Sequence, residues 1–309
     1  MSQLSFTQVA TLWKADKRQY VKKASYAIYA RLCNHLIMPV FGDVLIPNEE
    51  TIQSFANSLL ERDYAPKTVK DTLLVLKMII QFGEKLGAWP HITYSVHYPT
   101  RVEVPKFIPT FTKQDLNKLL QYLRTHFSFQ NLGLFICLYS GLRIGEVCGL
   151  QWRDLDIAAG VIRVNKTVQR INLTDGELRE YYVSVDTPKT PSSVRDIPLS
   201  RELKDIIRPF KRIMSQDYYV ISGAAQPLEP RQFRAYFKRI LRQLGIPAIR
   251  FHALRHSFAT RCIESKCDYK TVSVILGHAS ISTTLDMYVH PGYTEKKKCI
   301  DRMARNLKS

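Results

Sequence analysis

Several separated stretches carry side chains of the kinds that bind ions, move protons and act as nucleophiles. In HALRHSFAT, residues 252–260, His252, Arg255 and His256 recur at i, i+3 and i+4, so a helix would gather them on one face. Leu254 and Phe258, four apart, would face a core on the other side. A metal is one chemistry open to that cluster, since H-x-x-x-H on a helix can present two imidazoles to zinc, with Cys262, Cys267 or His278 as a further ligand. The stretch lacks the glutamate of H-E-x-x-H, however, and Arg255 would set a fixed positive charge beside the cation. A phosphate is the other. SGLRIGE places Arg143 just past a glycine at a helix start, with Glu146 three residues on. PKTPSSVRDIPL puts Lys189 in a proline-flanked turn, and LGHASISTTLDMY presents His278 and then Tyr288. Taken singly, each has a bland reading: an ion-paired arginine, a solvated loop lysine, a packing tyrosine. Together, with His256 set aside, they form two arginines, a lysine, two histidines and a tyrosine with no acidic metal cage. Two guanidiniums can clamp non-bridging oxygens bidentately, histidine or lysine can move protons, and a deprotonated tyrosine can attack.

Those residues need elements to hold them. Residues 1–97 read as helices: Val69, Leu73, Leu76 and Ile80 keep helical spacing behind Pro66, and Ile52, Phe55 and Leu59 form a second stripe. A further helix is predicted over residues 25–37, stopping before Pro39. YPTRVEVPKFIP, with three prolines, predicts an interdomain linker at 98–109. Beyond it, FTKQDLNKLLQYL opens a helix capped by Thr112 with Asp115 three residues on, and NLGLFICLYS is apolar enough for a buried helix. GVIRVNKTVQRIN and ELREYYVSVDTPKT, joined by T-D-G at 174–176, predict a β-hairpin. Helices resume from Arg201. The class is mainly α with a small antiparallel β-sheet (α+β).

Composition narrows the partner. The net charge is +18 and the pI about 9.7, which point to a polyanion, most simply nucleic acid. Residues 1–100 hold 11 basic and 8 acidic residues (net +3), and the remainder 34 and 19 (net +15), so most of the excess lies in the second part. The six cysteines form no C-x-x-C pair and are expected to be buried free thiols in a reducing compartment. MSQLSFTQVATLWK does not have the pattern of a signal peptide, and no apolar run nears the roughly 18 residues of a membrane span. A soluble, cytoplasmic protein is expected.

On SGLRIGE, the Lys189 stretch, HALRHSFAT and LGHASISTTLDMY, in that order and spacing, the chain resembles the tyrosine recombinases of phages and conjugative transposons. The resemblance covers nearly the whole chain, more loosely over residues 1–97. It implies a helical core-DNA-binding domain at 1–97 and a catalytic domain at 110–309, ending in an exchange tail at 294–309. It also implies attack by Tyr288 on a scissile phosphate, giving a 3′-phosphotyrosine and a free 5′-hydroxyl. Arg143 and Arg255 would stabilise the phosphorane, His252 would act as acid or base, Lys189 would protonate the leaving oxygen, and His278 would bond a phosphate oxygen. Glu146 would orient its neighbours, while His256 and His290 are expected to pack or cap. No metal, ATP or other cofactor is implied.

The partners implied are double-stranded core sites, a homotetramer in the synapse, and a directionality factor or DNA-bending protein, on the bacterial nucleoid. Many relatives begin with an arm-site-binding domain, whereas this chain starts at the core-binding domain, so the expectation is either that it works without arm sites or that its recognition is simpler. Chromosome-dimer resolution and a type IB topoisomerase are the competing activities. The hairpin around 166–186 favours integration or excision of a mobile element, and the tail argues against the topoisomerase.

Overall fold

Helix boundaries in the computed structural model follow the punctuation of the chain; it describes residues 4–44, 46–97, 110–175, 178–188, 190–288, 297, 300, 301 and 303–305. Two compact units emerge, residues 1–106 with 171–182, and residues 107–170 with 183–309.

In the first unit, α1 (Phe6–Tyr20) starts at a capping box formed by Ser5 and Gln8. Next come α2 (Lys23–Leu32), a π-helical turn at Cys33–Ile37, and α3 (Met38–Phe41). The helix expected to stop before Pro39 therefore runs on through it. Proline is tolerated there because it falls in the first turn after the π-turn, where Met38 N–H already reaches back five residues to the Cys33 carbonyl. α4 (Glu49–Glu61) is capped by Asn48, and α5 (Pro66–Lys85) has Pro66 as its first residue. Phe6, Trp13, Phe41, Ile52, Phe55, Leu59, Val69, Leu76 and Ile80 share one core.

The second unit opens with α6 (Lys113–Thr125), where Thr112 accepts the Asp115 N–H at 3.0 Å. α7 (Phe129–Ser140) is buried along most of its length, as its apolar sequence requires. α8 (Ile144–Gly149) is short and leads to β1 (Leu155–Asp156) and β2 (Val161–Val164). β3 (Thr167–Asp175) and β4 (Leu178–Asp186) form the expected two-stranded hairpin, of which residues 171–182 group with the first unit. The sequence GVIRVNKTVQRIN is thus two strands rather than one. Its first half joins a separate antiparallel sheet of order β1-β2-β5 with β5 (Arg195–Pro198), in which Ile162 pairs with Ile197. α9 (Arg201–Ile213), α10 (Pro230–Gln243), α11 (His252–Glu264), α12 (Tyr269–Leu276) and α13 (Ile281–Tyr288) complete the unit. Cys33, Cys137 and Cys148 are buried as expected, but Cys267, past the end of α11, is exposed. Cys299 lies outside the described residues. Among the described residues no helix is long and apolar enough to cross a membrane.

Candidate active site

The second unit brings the arginine, histidine and glutamate candidates together around the end of one helix. α12 starts at Asp268, which accepts the Thr271 N–H, and stops at Gly277, whose φ of +66° lies in the left-handed region that favours glycine. His278 N–H closes the turn on the Ser273 carbonyl at 3.1 Å, and Gly277 N–H reaches the Val274 carbonyl at 2.9 Å. A helix end leaves its last carbonyls without partners and carries partial negative charge. Here three consecutive carbonyls are each taken by a different arginine. Arg195 Nε donates to Ile275 O at 2.6 Å, Arg255 Nη2 to Leu276 O at 2.8 Å, and Arg143 Nη2 to Gly277 O at 3.0 Å.

Glu146 is the counter-charge. Arg143 precedes α8, and the buried Glu146 carboxylate folds back on it. Oε2 accepts the Arg143 backbone N–H at 2.9 Å and Oε1 accepts Nη1 at 2.8 Å. Both carboxylate oxygens also accept from Arg195, at 3.1 and 3.0 Å. Burial pushes the Glu146 pKa up, but the Arg195 hydrogen bonds and charge, with Arg143, outweigh it and hold the pKa below the usual value. Three guanidiniums against one carboxylate leave this cluster net positive, a setting suited to an anion. The Arg143 side chain is 35 % exposed, whereas Arg255 is 2 % exposed, so Arg143 marks the side open to solvent.

α11 carries the histidines. Arg255 Nη1 donates to the carbonyl of Gly141 at 2.9 Å. That glycine ends α7 at φ +66°, and a Cβ there would lie 2.6 Å from Phe258 and 2.8 Å from Leu276. His252 and His256 meet on one face of α11 and Leu254 is in the core, as expected, but the polar face is not left to solvent. Arg255 and His256 are as buried as Leu254, because the α7 and α12 ends supply carbonyls for the guanidinium. The His256 ring meets His252 edge-on at 4.5 Å. His278 Nδ1 lies 2.8 Å from the hydroxyl of the buried Thr284 in α13.

His252 and His278 are both pushed down to about 4. Burial acts first; then His256 and Arg255 act on His252, and Arg255 and Arg143 on His278. His252 as a residue is exposed, so solvent screens part of this field. Both rings are therefore neutral near pH 7 and able to accept a proton. In the unfolded chain they titrate near 6.5, so between that pH and about 4 the unfolded state binds more protons and stability falls as pH drops. The Tm of the free protein should decline through this window, and a His252→Gln/His278→Gln double variant should show a shallower decline. An unchanged slope in thermal melts against pH would refute the assignment.

Lys189 and His290 lie outside the described residues, and Tyr288 is the last residue of α13, four on from Thr284. Arg195 and Thr284 were missed by sequence reasoning. For Arg195 a signal existed: two residues before Ile197 on a strand, it shares the inward side of the pleat, an unusual place for a charge. Among the described residues no group of three or more histidine, cysteine or carboxylate side chains could hold a metal ion.

Residues 109–295 match the phage integrase family. The chain belongs to that family. As a tyrosine recombinase it is 28% identical to the ICEBs1 integrase of Bacillus subtilis (strain 168) over 319 aligned residues, 97% of this chain and 83% of that protein. It is 25% identical to a XerC-like tyrosine recombinase of Caldanaerobacter subterraneus subsp. tengcongensis, over 82% of this chain and 69% of that one. Its fold matches the Tn1549 transposon integrase solved with transposon right-end DNA, with a TM-score of 0.72 at 22% identity, covering 96% of this chain and 99% of that one.

Proposed function

We propose that this integrase cuts and rejoins double-stranded DNA at core sites to integrate or excise a mobile element, working in the cytoplasm on the bacterial nucleoid. The observation that carries the reading is the set of three arginines on the last three carbonyls of the α12 end, beside two neutral histidines. The similarity to the ICEBs1 integrase and to the transposase from transposon Tn916 supports the mobile-element branch. Tyr288 attacks the scissile phosphorus and its proton passes to His252. Arg143 and Arg255 bind the non-bridging oxygens of the phosphorane, each such donor being worth about a hundred- to a thousandfold in rate. His278 donates to one of the same oxygens. The bond to the 5′-oxygen breaks, and Lys189 supplies that oxygen's proton. The 3′-phosphotyrosine conserves the bond energy, and a partner strand's 5′-hydroxyl reverses the step to complete exchange. Residues 1–97 grip the core DNA, 98–109 link the units, 110–309 catalyse, and four protomers assemble on two duplexes, with a directionality or bending factor setting the outcome. The test is a nicked suicide substrate, which should trap a protein–DNA adduct with or without EDTA. Loss of the adduct on chelation, restored by zinc or magnesium, would overturn the phosphate-site reading.

Residues 300 and 303 lie in helical conformation after α13, and Ile300 is 60 % and Met303 49 % exposed within the single chain. An apolar edge of this kind gains about 1.5–3 kcal/mol per side chain when a neighbouring protomer covers it. Deleting residues 294–309 should spare binding to one site but impair synapsis and strand exchange. If the truncated protein recombines two sites normally and only its salt slope falls, by about 0.9 per lost phosphate contact, the tail contacts DNA instead.

A further inference from the structure

We propose that Arg195 is a positioning residue for strand cleavage: it locks Glu146 to the end of α12 so that Glu146 presents the Arg143 guanidinium to the scissile phosphate. The inference rests on the reading of this cluster as the phosphate site. Arg195 opens β5, and its side chain is 5 % exposed. Its hydrogen bonds run to Ile275 O, Ser193 O and both oxygens of Glu146. Four of its five N–H donors are thus committed inside the protein. A guanidinium used in this way has little left with which to clamp a phosphate, so Arg195 acts through its neighbours.

Those neighbours are the ones that matter. The Ser193 carbonyl belongs to the turn at Pro191–Ser193 that follows Lys189, Glu146 holds Arg143 by two contacts, and Ile275 adjoins the carbonyls that seat Arg255 and Arg143. Packing is close as well. A Cβ on Gly277 would lie 2.9 Å from Ser192 O and 3.0 Å from Arg195 Nη1, so the left-handed cap that launches His278 rests directly on this arginine. Lysine cannot replace it, because one ammonium cannot grip a carboxylate bidentately while a second nitrogen reaches a helix carbonyl.

Without Arg195 the buried Glu146 carboxylate keeps one cationic partner. The charged or titratable groups around it are then Arg143 at the start of α8 and the Cys137 thiol in α7, with His278 beyond, which feels Arg143 and Arg195. Glu146 then takes up a proton more readily and releases Arg143 when it does. Wild type, Arg195→Met and Arg195→Lys should be compared by single-turnover cleavage of the nicked suicide substrate, by DNA affinity and by thermal melting. Arg195→Met should cleave about 10–100-fold more slowly, with DNA affinity within about twofold, and its cleavage rate should begin to fall at a higher pH than that of wild type. Arg195→Lys, which keeps the buried cation should the methionine variant fail to fold, should recover only part of the rate. In a Glu146→Gln background, Arg195→Met should add little further loss and no further shift of the acid limb, because contacts in one network are not additive. Losses that simply track melting temperature, add to that of Glu146→Gln and leave the pH profile unmoved would overturn the inference. So would a wild-type rate in either variant. If wild type forms no Tyr288-dependent adduct, the phosphate-site reading fails and this role falls with it. If the adduct forms and Arg195 variants cleave normally, only the positioning role fails.

Discussion

Tyr288→Phe should abolish the covalent protein–DNA adduct while leaving DNA binding within about twofold of wild type. The change removes a single oxygen, the one assigned to attack the phosphorus, from the last residue of α13. Water can replace it chemically, but not with its placement. A held nucleophile is worth an effective molarity of roughly 10⁵–10⁸ M, so against bulk water the cleavage rate should drop at least about a thousandfold. Affinity comes from contacts to many phosphates along the duplex, and one hydroxyl contributes little to it. Denaturing gels of the trapped suicide complex, paired with binding titrations at fixed salt, measure both quantities. An adduct that persists in the phenylalanine variant would move the nucleophile elsewhere and sink the assignment.

Arg255→Met should be the more damaging of the two clamp substitutions, because it harms both catalysis and folding. Its guanidinium bonds the carbonyls of Gly141 and Leu276, at the ends of α7 and α12. Methionine fills much of the same volume but leaves both acceptors buried and unpaired, at about 1–3 kcal/mol each. Cleavage should fall by about a hundred- to a thousandfold, with a clear loss of Tm. Arg143→Met should lose cleavage to a similar degree with a smaller loss of stability, since its side chain is 35 % exposed and Glu146 would still be paired with Arg195. Single-turnover cleavage and denaturant melts of the two variants provide the comparison. Arg143→Met proving the less stable protein would contradict the burial argument.

What was legible in the chain alone was whatever depends on local spacing. Helical spacing located α4 and, with Pro66 in its first turn, α5; the Thr112 cap located α6, apolar composition marked α7, and Gly277 marked the end of α12 before His278. The order of SGLRIGE, HALRHSFAT and LGHASISTTLDMY, through the family resemblance it carries, nominated Arg143, Glu146, His252, Arg255, His278 and Tyr288 as candidates. Local rules misjudged Pro39, because the shift in register that admits it comes from a π-turn with no signature of its own. They misjudged α11 for a different reason. Helical spacing assigns a polar face to water, yet Arg255 and His256 are buried, since helix ends far away in sequence supply the partners.

The sequence by itself determined which residues could do the chemistry and on which elements they sit. Only the tertiary structure decided that three arginines, one just before α8, one in β5 and one in α11, meet at the end of α12, and that one of them, Arg195, turns inward to hold Glu146. The physical reason is that unpaired carbonyls at a helix end are satisfied by whatever donor the fold brings near. That donor is set by the packing of elements up to 134 residues apart, as with Arg143 and Gly277, and no local pattern records it.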